Sequence, residues 1–256
     1  MLTSERRLAI LDRLHRDGKV VASELSRVLG VSLDTVRRDL RELDEEGSLQ
    51  RVHGGALPRS RTPVLYAARA RIAPEAKESI ARAAARLIQD GQVVFLDSGT
   101  TAAQVARHLA PGLRASFITP SPIVAAVLAE HPLIEVALLG GNLDKETLSV
   151  IGADVVDALR RVRADLCLLG VCCLHPEFGV SVPGREEAAV KRAMVEGAAE
   201  VVALASAEKL GTIEHHAVAS LIEITHLVTE ANTSEAILAP YRASGISVLF
   251  GDEIHP

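Results

Sequence analysis

The 256-residue chain has no tryptophan, two tyrosines and four phenylalanines, an aromatic share of 2%. Single-stranded nucleic acid is held by stacking its bases on aromatic side chains, so this composition argues against that class of binder. Cysteine is scarce too. Cys167, Cys172 and Cys173 all fall in one apolar, strand-like run, L-C-L-L-G-V-C-C-L, with no C-x-x-C or Cys/His ligand spacing. Buried reduced thiols are therefore expected, and neither a structural disulfide nor a metal site. Redox sensing through Cys172 and Cys173 finds no cation nearby in sequence to lower a thiol pKa. No run of 18 apolar residues occurs, and the N-terminus lacks a basic segment followed by an apolar run and a small-residue cleavage site. The expectation is a cytoplasmic protein that touches no membrane. Nothing in the sequence asks for a cofactor.

What the chain does have is 48% hydrophobic and 24% charged residues, enough for two globular domains. Its net charge of −5 is unevenly spread: residues 1–61 carry 12 Lys and Arg against 10 Asp and Glu, whereas the remainder carries 16 against 23. A surplus of +2 followed by −7 places any contact with duplex DNA at the N-terminus.

That end is organised around Ser32 to Gly47, S-L-D-T-V-R-R-D-L-R-E-L-D-E-E-G. Leu33, Val36, Leu40 and Leu43 recur at helical spacing and form an apolar stripe, while Thr35, Arg37, Arg38 and Arg41 occupy the other face. Ser32 suits an N-cap, Asp34 the first turn, and Gly47 a left-handed C-terminal stop. Upstream, Ser4 to Arg16 reads as a helix with Leu8, Leu11 and Leu14 inward. Val20-Val21 is a short β pair, and Ser23 caps a second helix with Leu25, Val28 and Leu29 inward. Gly30-Val31-Ser32 is a tight turn, which completes a helix-turn-helix whose Arg-rich second helix fits a major groove. Leu49 to Val52 and His53-Gly54-Gly55-Ala56 form a hairpin wing, with Arg51, His53 and the backbone at Gly54 poised for phosphate.

L-S-R-V-L-G-V-S-L-D-T-V-R-R-D-L-R-E-L-D-E-E-G-S-L-Q-R-V-H-G-G-A resembles the N-terminal domain of DeoR-family bacterial transcription regulators. The resemblance implies a winged helix-turn-helix over residues 1–57 that binds a double-stranded operator. Ala22, where some members begin the second helix with hydroxyl residues, is a minor departure. The stretch 58–74, opening Pro58-Arg59-Ser60-Arg61-Thr62-Pro63, has the composition of an interdomain linker.

Residues 75–256 alternate helical and apolar β segments, as in an α/β domain with a mostly parallel sheet. Ile80, Ala84, Leu87 and Ile88 line one helix, ended by Gly91. Strands are expected at 93–96, 116–119, 136–139, 166–169, 201–204, 227–229 and 247–250. Asp97-Ser98-Gly99-Thr100-Thr101 follows the first of these and opens a helix running to Leu109, a turn that can cradle phosphate on backbone N–H groups and a helix N-terminus. Gly140-Gly141, Gly170 and Lys209 fall at other strand ends, where α/β sheets gather ligands.

F-L-D-S-G-T-T, L-L-G-G, D-L-C-L-L-G, E-A-A-V-K-R-A-M and E-K-L-G resemble the DeoR-type effector domain, which is similar in fold to ribose 5-phosphate isomerases. The resemblance implies a sensor for a phosphorylated sugar or related metabolite, with Asp97, Gly99, Thr100, Thr101, Glu187, Lys191 and Lys209 on the pocket motifs. Three positions depart from the family: Thr119-Pro120-Ser121 in place of Thr-Asn-Ser, Ala205 in place of an Asp, and Thr229-Glu230 in place of Thr-Asp. The reading is an effector-controlled repressor of a carbohydrate operon, acting as a homo-oligomer (dimer or tetramer) assembled partly through the apolar helix Pro122 to Leu128. The rival is a sugar-phosphate isomerase with Glu187 as base. It lacks the acidic residues such enzymes place after the 166–169 strand, where Gly170-Val171-Cys172-Cys173-Leu174 stands.

Overall fold

In the computed structural model, residues 2–60 and 62–251 are described; Arg61 of the linker and the last five residues of the expected effector domain lie outside them. The N-terminal part comprises α1 (Thr3–Asp17), β1 (Val20–Val21), α2 (Ala22–Leu29), α3 (Leu33–Glu45), β2 (Gln50–Val52) and β3 (Gly55–Leu57). Ile10, Leu14, Leu25, Val36, Leu40, Leu43 and Leu49 are each at most 2% exposed and close a small core. Burial of each such side chain contributes about 2 kcal/mol. On α1, Leu14 faces the core and Leu11 packs against it as expected, but Ile10 is buried with them whereas Leu8 is exposed, as is Val28 on α2. Nor does Ser23 cap α2, which begins one residue earlier, with Val21 in extended backbone at the N-cap position. The three short strands pair antiparallel in the order β1-β3-β2. Gly55 is required there, since a Cβ would meet the Val20 carbonyl oxygen at 1.9 Å.

The remainder comprises α4 (Tyr66–Ala70), α5 (Pro74–Ala85), β4 (Val93–Leu96), α6 (Thr100–Arg107), β5 (Ser116–Thr119), α7 (Pro122–Leu128), β6 (Glu135–Leu138), β7 (Asn142–Asp144), β8 (Ser149–Ile151), α8 (Ala153–Arg160), β9 (Ala164–Gly170), β10 (Cys173–His175), β11 (Gly179–Val182), α9 (Arg185–Glu196), β12 (Ala198–Leu204), β13 (His216–Ala219), β14 (His226–Thr229), α10 (Glu235–Ala243) and β15 (Ser247–Phe250). Seven strands form one parallel sheet in the order β15-β14-β12-β9-β4-β5-β6. Alternate residues feed two cores: Phe95, Cys167, Leu169 and Leu227 on one face, Val94, Leu96, Leu168 and Val228 on the other. Burial on both faces explains why the central strands β4, β9 and β14 read as apolar runs, whereas the edge strand β6 is largely exposed.

Two details depart from the sequence reading. The cysteine run is not one strand: β9 ends at Gly170, and Cys173 begins β10 in a separate sheet, β10-β11-β13. On α7, Val124, Ala125 and Leu128 are spent on the domain's own core, so that face is not free for self-association.

The stretch expected as a loose linker is docked. It carries α4, the Tyr66 N–H donates to the Glu146 carbonyl at 2.7 Å, and Ile213 N–H donates to the Pro58 carbonyl at 3.2 Å. Arg59 sits in a parallel bridge with Ile213. Ala73, which joins α4 to α5, is held at φ 44°, a left-handed conformation that costs a non-glycine residue about 1 kcal/mol.

Candidate DNA interface and effector pocket

The Ser32 hydroxyl caps α3, accepting from the Thr35 N–H at 3.2 Å. Arg37, Arg38 and Arg41 are exposed along the helix, with Thr35 half-buried beneath them. Arg37 makes only a long, exposed contact with Asp34, 3.4 Å. Arg37, Arg51, His53 and Gly54 line one groove of about 390 Å³ between α3 and the hairpin, together with Ser23 and Leu33. The Asp44 carboxylate accepts the Arg51 N–H at 3.2 Å, which ties the wing to the end of α3. Four of the eight positions expected to meet DNA, Arg37, Arg51, His53 and Gly54, line this groove, whereas Ser32, Thr35, Arg38 and Arg41 lie on α3 or at its cap outside the groove lining.

One contact that sets this helix was not anticipated. Asp39 lies on the apolar stripe of α3, 1% exposed, and accepts two hydrogen bonds from the Arg6 guanidinium, at 2.5 and 2.9 Å. An acid at a buried stripe position needs a fixed cation, and this fork fixes α3 against α1. The acid's place on the stripe was visible in sequence; its partner, 33 residues away, was not.

The second site lies where the strand order reverses, between the carboxyl ends of β4 and β9, the position at which parallel sheets bind ligands. Asp97, 1% exposed, accepts from the Gly170 N–H at 2.9 Å and from the Lys191 ammonium. Lys191 also donates to the Gly170 carbonyl at 3.0 Å and lies 3.6 Å from Glu187. Burial opposes the charge on Lys191, but the two carboxylates outweigh it and hold its pKa above the ordinary lysine value. Among the described residues Lys209, 7% exposed, has no such carboxylate clamp; burial pushes its pKa down, with partial compensation from Glu208.

Ser98, Gly99, Thr100, Thr101, Gly170, Glu187, Lys191 and Lys209 line one small pocket. Asp97 stands behind it, orienting Lys191. Gly140 and Gly141 do not line it: a Cβ on Gly141 would strike Val150 and Val155 at 2.8 Å, so Gly141 serves the packing of β8 and α8, whereas a Cβ on Gly140 would meet open space. The pocket also includes residues that sequence reasoning missed. Val171 and Cys172 follow β9, and Thr62 and Arg69 come from the supposed linker. Arg69 reaches the Thr147 carbonyl at 3.4 Å, and its Nε is buried without a hydrogen-bond partner among the described residues. No local pattern marks Arg69; only the docking of α4 brings it here.

Comparison with known proteins agrees with this two-part geometry. The model of the DeoR-like helix-turn-helix domain matches residues 6–62, and that of the DeoR C-terminal sensor domain matches residues 72–231. The chain belongs to the DeoR family. It is a DNA-binding transcriptional regulator. Relatives of this DeoR-family chain include the HTH-type transcriptional repressor GlcR of Bacillus subtilis, 36% identical over 99% of this chain and 98% of that one. The HTH-type transcriptional regulator GlpR of Haloferax volcanii is 37% identical over 98% and 99%. The putative aga operon transcriptional repressor of Escherichia coli O157:H7 is 32% identical over 98% and 95%. Among solved structures, ribose 5-phosphate isomerase A from Methanocaldococcus jannaschii aligns over 53% of this chain and 54% of its own, with a TM-score of 0.40 and 19% identity. Among the described residues, no helix is long and apolar enough to cross a membrane, and no cluster of metal-ligating side chains occurs.

Proposed function

We propose that this regulator is a repressor of a carbohydrate operon, released or engaged by a phosphorylated sugar that binds between Ser98–Thr101 and Lys209. The observation that carries the reading is the pocket's charge. In a segment whose net charge is −7, Lys209 and Arg69 line the same pocket at the start of α6. Among the described residues neither makes an ion pair with a carboxylate, although Glu208 acts on Lys209 at a distance, and Asp97 and Glu187 pair with Lys191. Backbone N–H groups at the α6 N-terminus and two cations suit a phosphate. Gly140 and Gly141 are left out of the proposed site.

The division into residues 1–57, 58–74 and 75–256 gives the effector a route to DNA. The pocket holds only about 30 Å³, the share of one water, whereas small-molecule sites run to hundreds of Å³. A sugar phosphate enters only if Thr62 and Arg69 withdraw, that is, if α4 moves about the strained junction at Ala73. Arg59, upstream in the same segment, then carries the displacement to the end of α3, where its guanidinium lies against Gly47. Ser32, Thr35, Arg37, Arg38, Arg41, Arg51, His53 and Gly54 form the operator surface.

We assign no catalysis. Glu187, the base an isomerase would need, is engaged with Lys191, and the apolar Val171 stands where an acid would be required. The test is a thermal-shift screen of sugar phosphates coupled to operator titration. A ligand at 100 times its Kd stabilises by about 2.7 kcal/mol and shifts operator affinity. Turnover of ribose 5-phosphate, or no shift with any anion, refutes the reading.

A further inference from the structure

Cys172 lines the anion pocket beside Lys209 and Glu187, although the sequence offers no cation near it. Its sulfur accepts from the Cys173 thiol at 4.0 Å. Lys209, more than nine-tenths buried, has no hydrogen-bond partner for its ammonium among the described residues and faces the same space. The two other thiols differ sharply: Cys167 and Cys173 are fully buried in the sheets and lie outside the pocket. We propose that Cys172 is a thiol modification site, oxidised by a hydroperoxide or capped by a small sulfur electrophile, and that its modification blocks the anion pocket.

The chemistry balances with hydrogen peroxide as oxidant. The Cys172 thiolate attacks one peroxide oxygen, an S–O bond forms as the O–O bond breaks, and the departing hydroxide takes a proton to become water. Sulfur is oxidised by two electrons to the sulfenic acid. The Cys173 donor, first, and the Lys209 cation favour the thiolate over the thiol; burial and the Glu187 and Glu214 carboxylates oppose it, and the net displacement of the Cys172 pKa is downward. The added oxygen fills a cavity with room for about one water and gives Lys209 an acceptor in place of a ligand phosphate.

The blocking step rests on the pocket reading above; the site itself does not. The native full chain is treated with methyl methanethiosulfonate, whose sulfenyl sulfur the thiolate captures with loss of methanesulfinate, or with hydrogen peroxide, and the product is mapped by peptide mass. Cys172 should react at least tenfold faster than Cys167 and Cys173, and Cys172→Ser should remove the fast phase. Lys209→Met should slow it several-fold, with the circular dichroism spectrum confirming that the variant folds. Equal reactivity of the three cysteines, or a fast phase that survives Cys172→Ser, overturns the proposal. Inorganic phosphate and ribose 5-phosphate are the pocket probes. Protection of Cys172 by either, and loss of its thermal shift after modification, supports the blocking step, whereas an unchanged shift in fully modified protein overturns it. If neither probe shifts even unmodified protein, the anion reading falls, while the mapped selectivity still decides the modification site.

Discussion

Arg59 donates from Nε to Glu214 at 3.3 Å, and this pair joins the segment leaving the wing to the chain that follows Lys209. Glu214 is only 6% exposed, its backbone N–H is held by the Ser181 hydroxyl at 2.9 Å, and the Thr212 hydroxyl donates to the Lys209 carbonyl at 2.8 Å. Lys209 and Arg59 are thus connected through five residues of chain fixed by hydrogen bonds. The same guanidinium lies 3.5 Å from the Cβ position of Gly47, just past α3.

If this contact transmits the effector signal, Arg59→Ala should leave a folded protein that binds both operator and effector but couples them weakly. A coupling of about 1–3 kcal/mol is ordinary for such a device, and the variant should lose most of it. Operator titrations with and without the sugar phosphate measure this. Undiminished coupling in Arg59→Ala assigns transmission elsewhere.

On the DNA face, alanine variants of Arg37, Arg38 and Arg41 should separate by role. An arginine that reads guanine loses about 1–3 kcal/mol and relaxes one base position, whereas a phosphate contact weakens every sequence and flattens the salt dependence by about one unit. A triple variant that binds its operator normally would exclude α3 as the reading helix.

Asp39→Asn should destabilise the N-terminal domain by about 3 kcal/mol or more, because Arg6 stays buried without its carboxylate. Operator binding should fall with it. Thermal unfolding followed by circular dichroism gives the shift; a variant as stable as the parent would mean that the fork orients α3 without supporting it.

Lys77 supplies a pH test. It is 4% exposed and donates to the Arg69 carbonyl, and burial, reinforced by Lys209, lowers its pKa from 10.5 to about 8. Below pH 8 both folded and unfolded chains hold the proton, and the burial penalty is complete. Between about pH 8 and 10.5 the unfolded chain holds a proton that the folded one has released, so stability from this group rises with pH. Denaturation midpoints of the parent relative to Lys77→Met should therefore climb from pH 7.5 to 9.5. A flat difference would show that Lys77 keeps its proton.

Assembly is the expected outcome of the limited reach of one winged module, which needs a second copy at a half-site about one helical turn away, or a multiple of it, for useful specificity. Sedimentation should show a dimer or tetramer at micromolar concentration. Since the core face of α7 is occupied, the exposed edge of β6 with Leu138 is the surface to alter first. Full operator affinity in a monomer would contradict this.

Local chemistry determined much of this protein. Short apolar runs located all seven strands of the parallel sheet to within three residues at either end, because its central strands, buried on both faces, must be continuously apolar. Ser32, Gly47 and the Val36–Leu40–Leu43 stripe delimited α3, because caps and helical period act within a few residues. What only the tertiary structure decided were partnerships across long separations. Leu8 and Val28 have the right period for an inward face, yet both are exposed, and Ile10 joins Leu14 and Leu25 in the core. Gly140 and Gly141 end at a strand like Gly170 does, but only Gly170 adjoins Asp97, since β9 is the neighbour of β4 in the sheet and β6 is two strands away from it. Arg69 and Thr62 joined the pocket because the segment carrying α4 docks on the domain, Cys172 because it leaves the end of β9, and Arg6 met Asp39 because α1 packs on α3. Sheet order and helix docking are set by the summed packing of distant residues, and no window of sequence contains that sum.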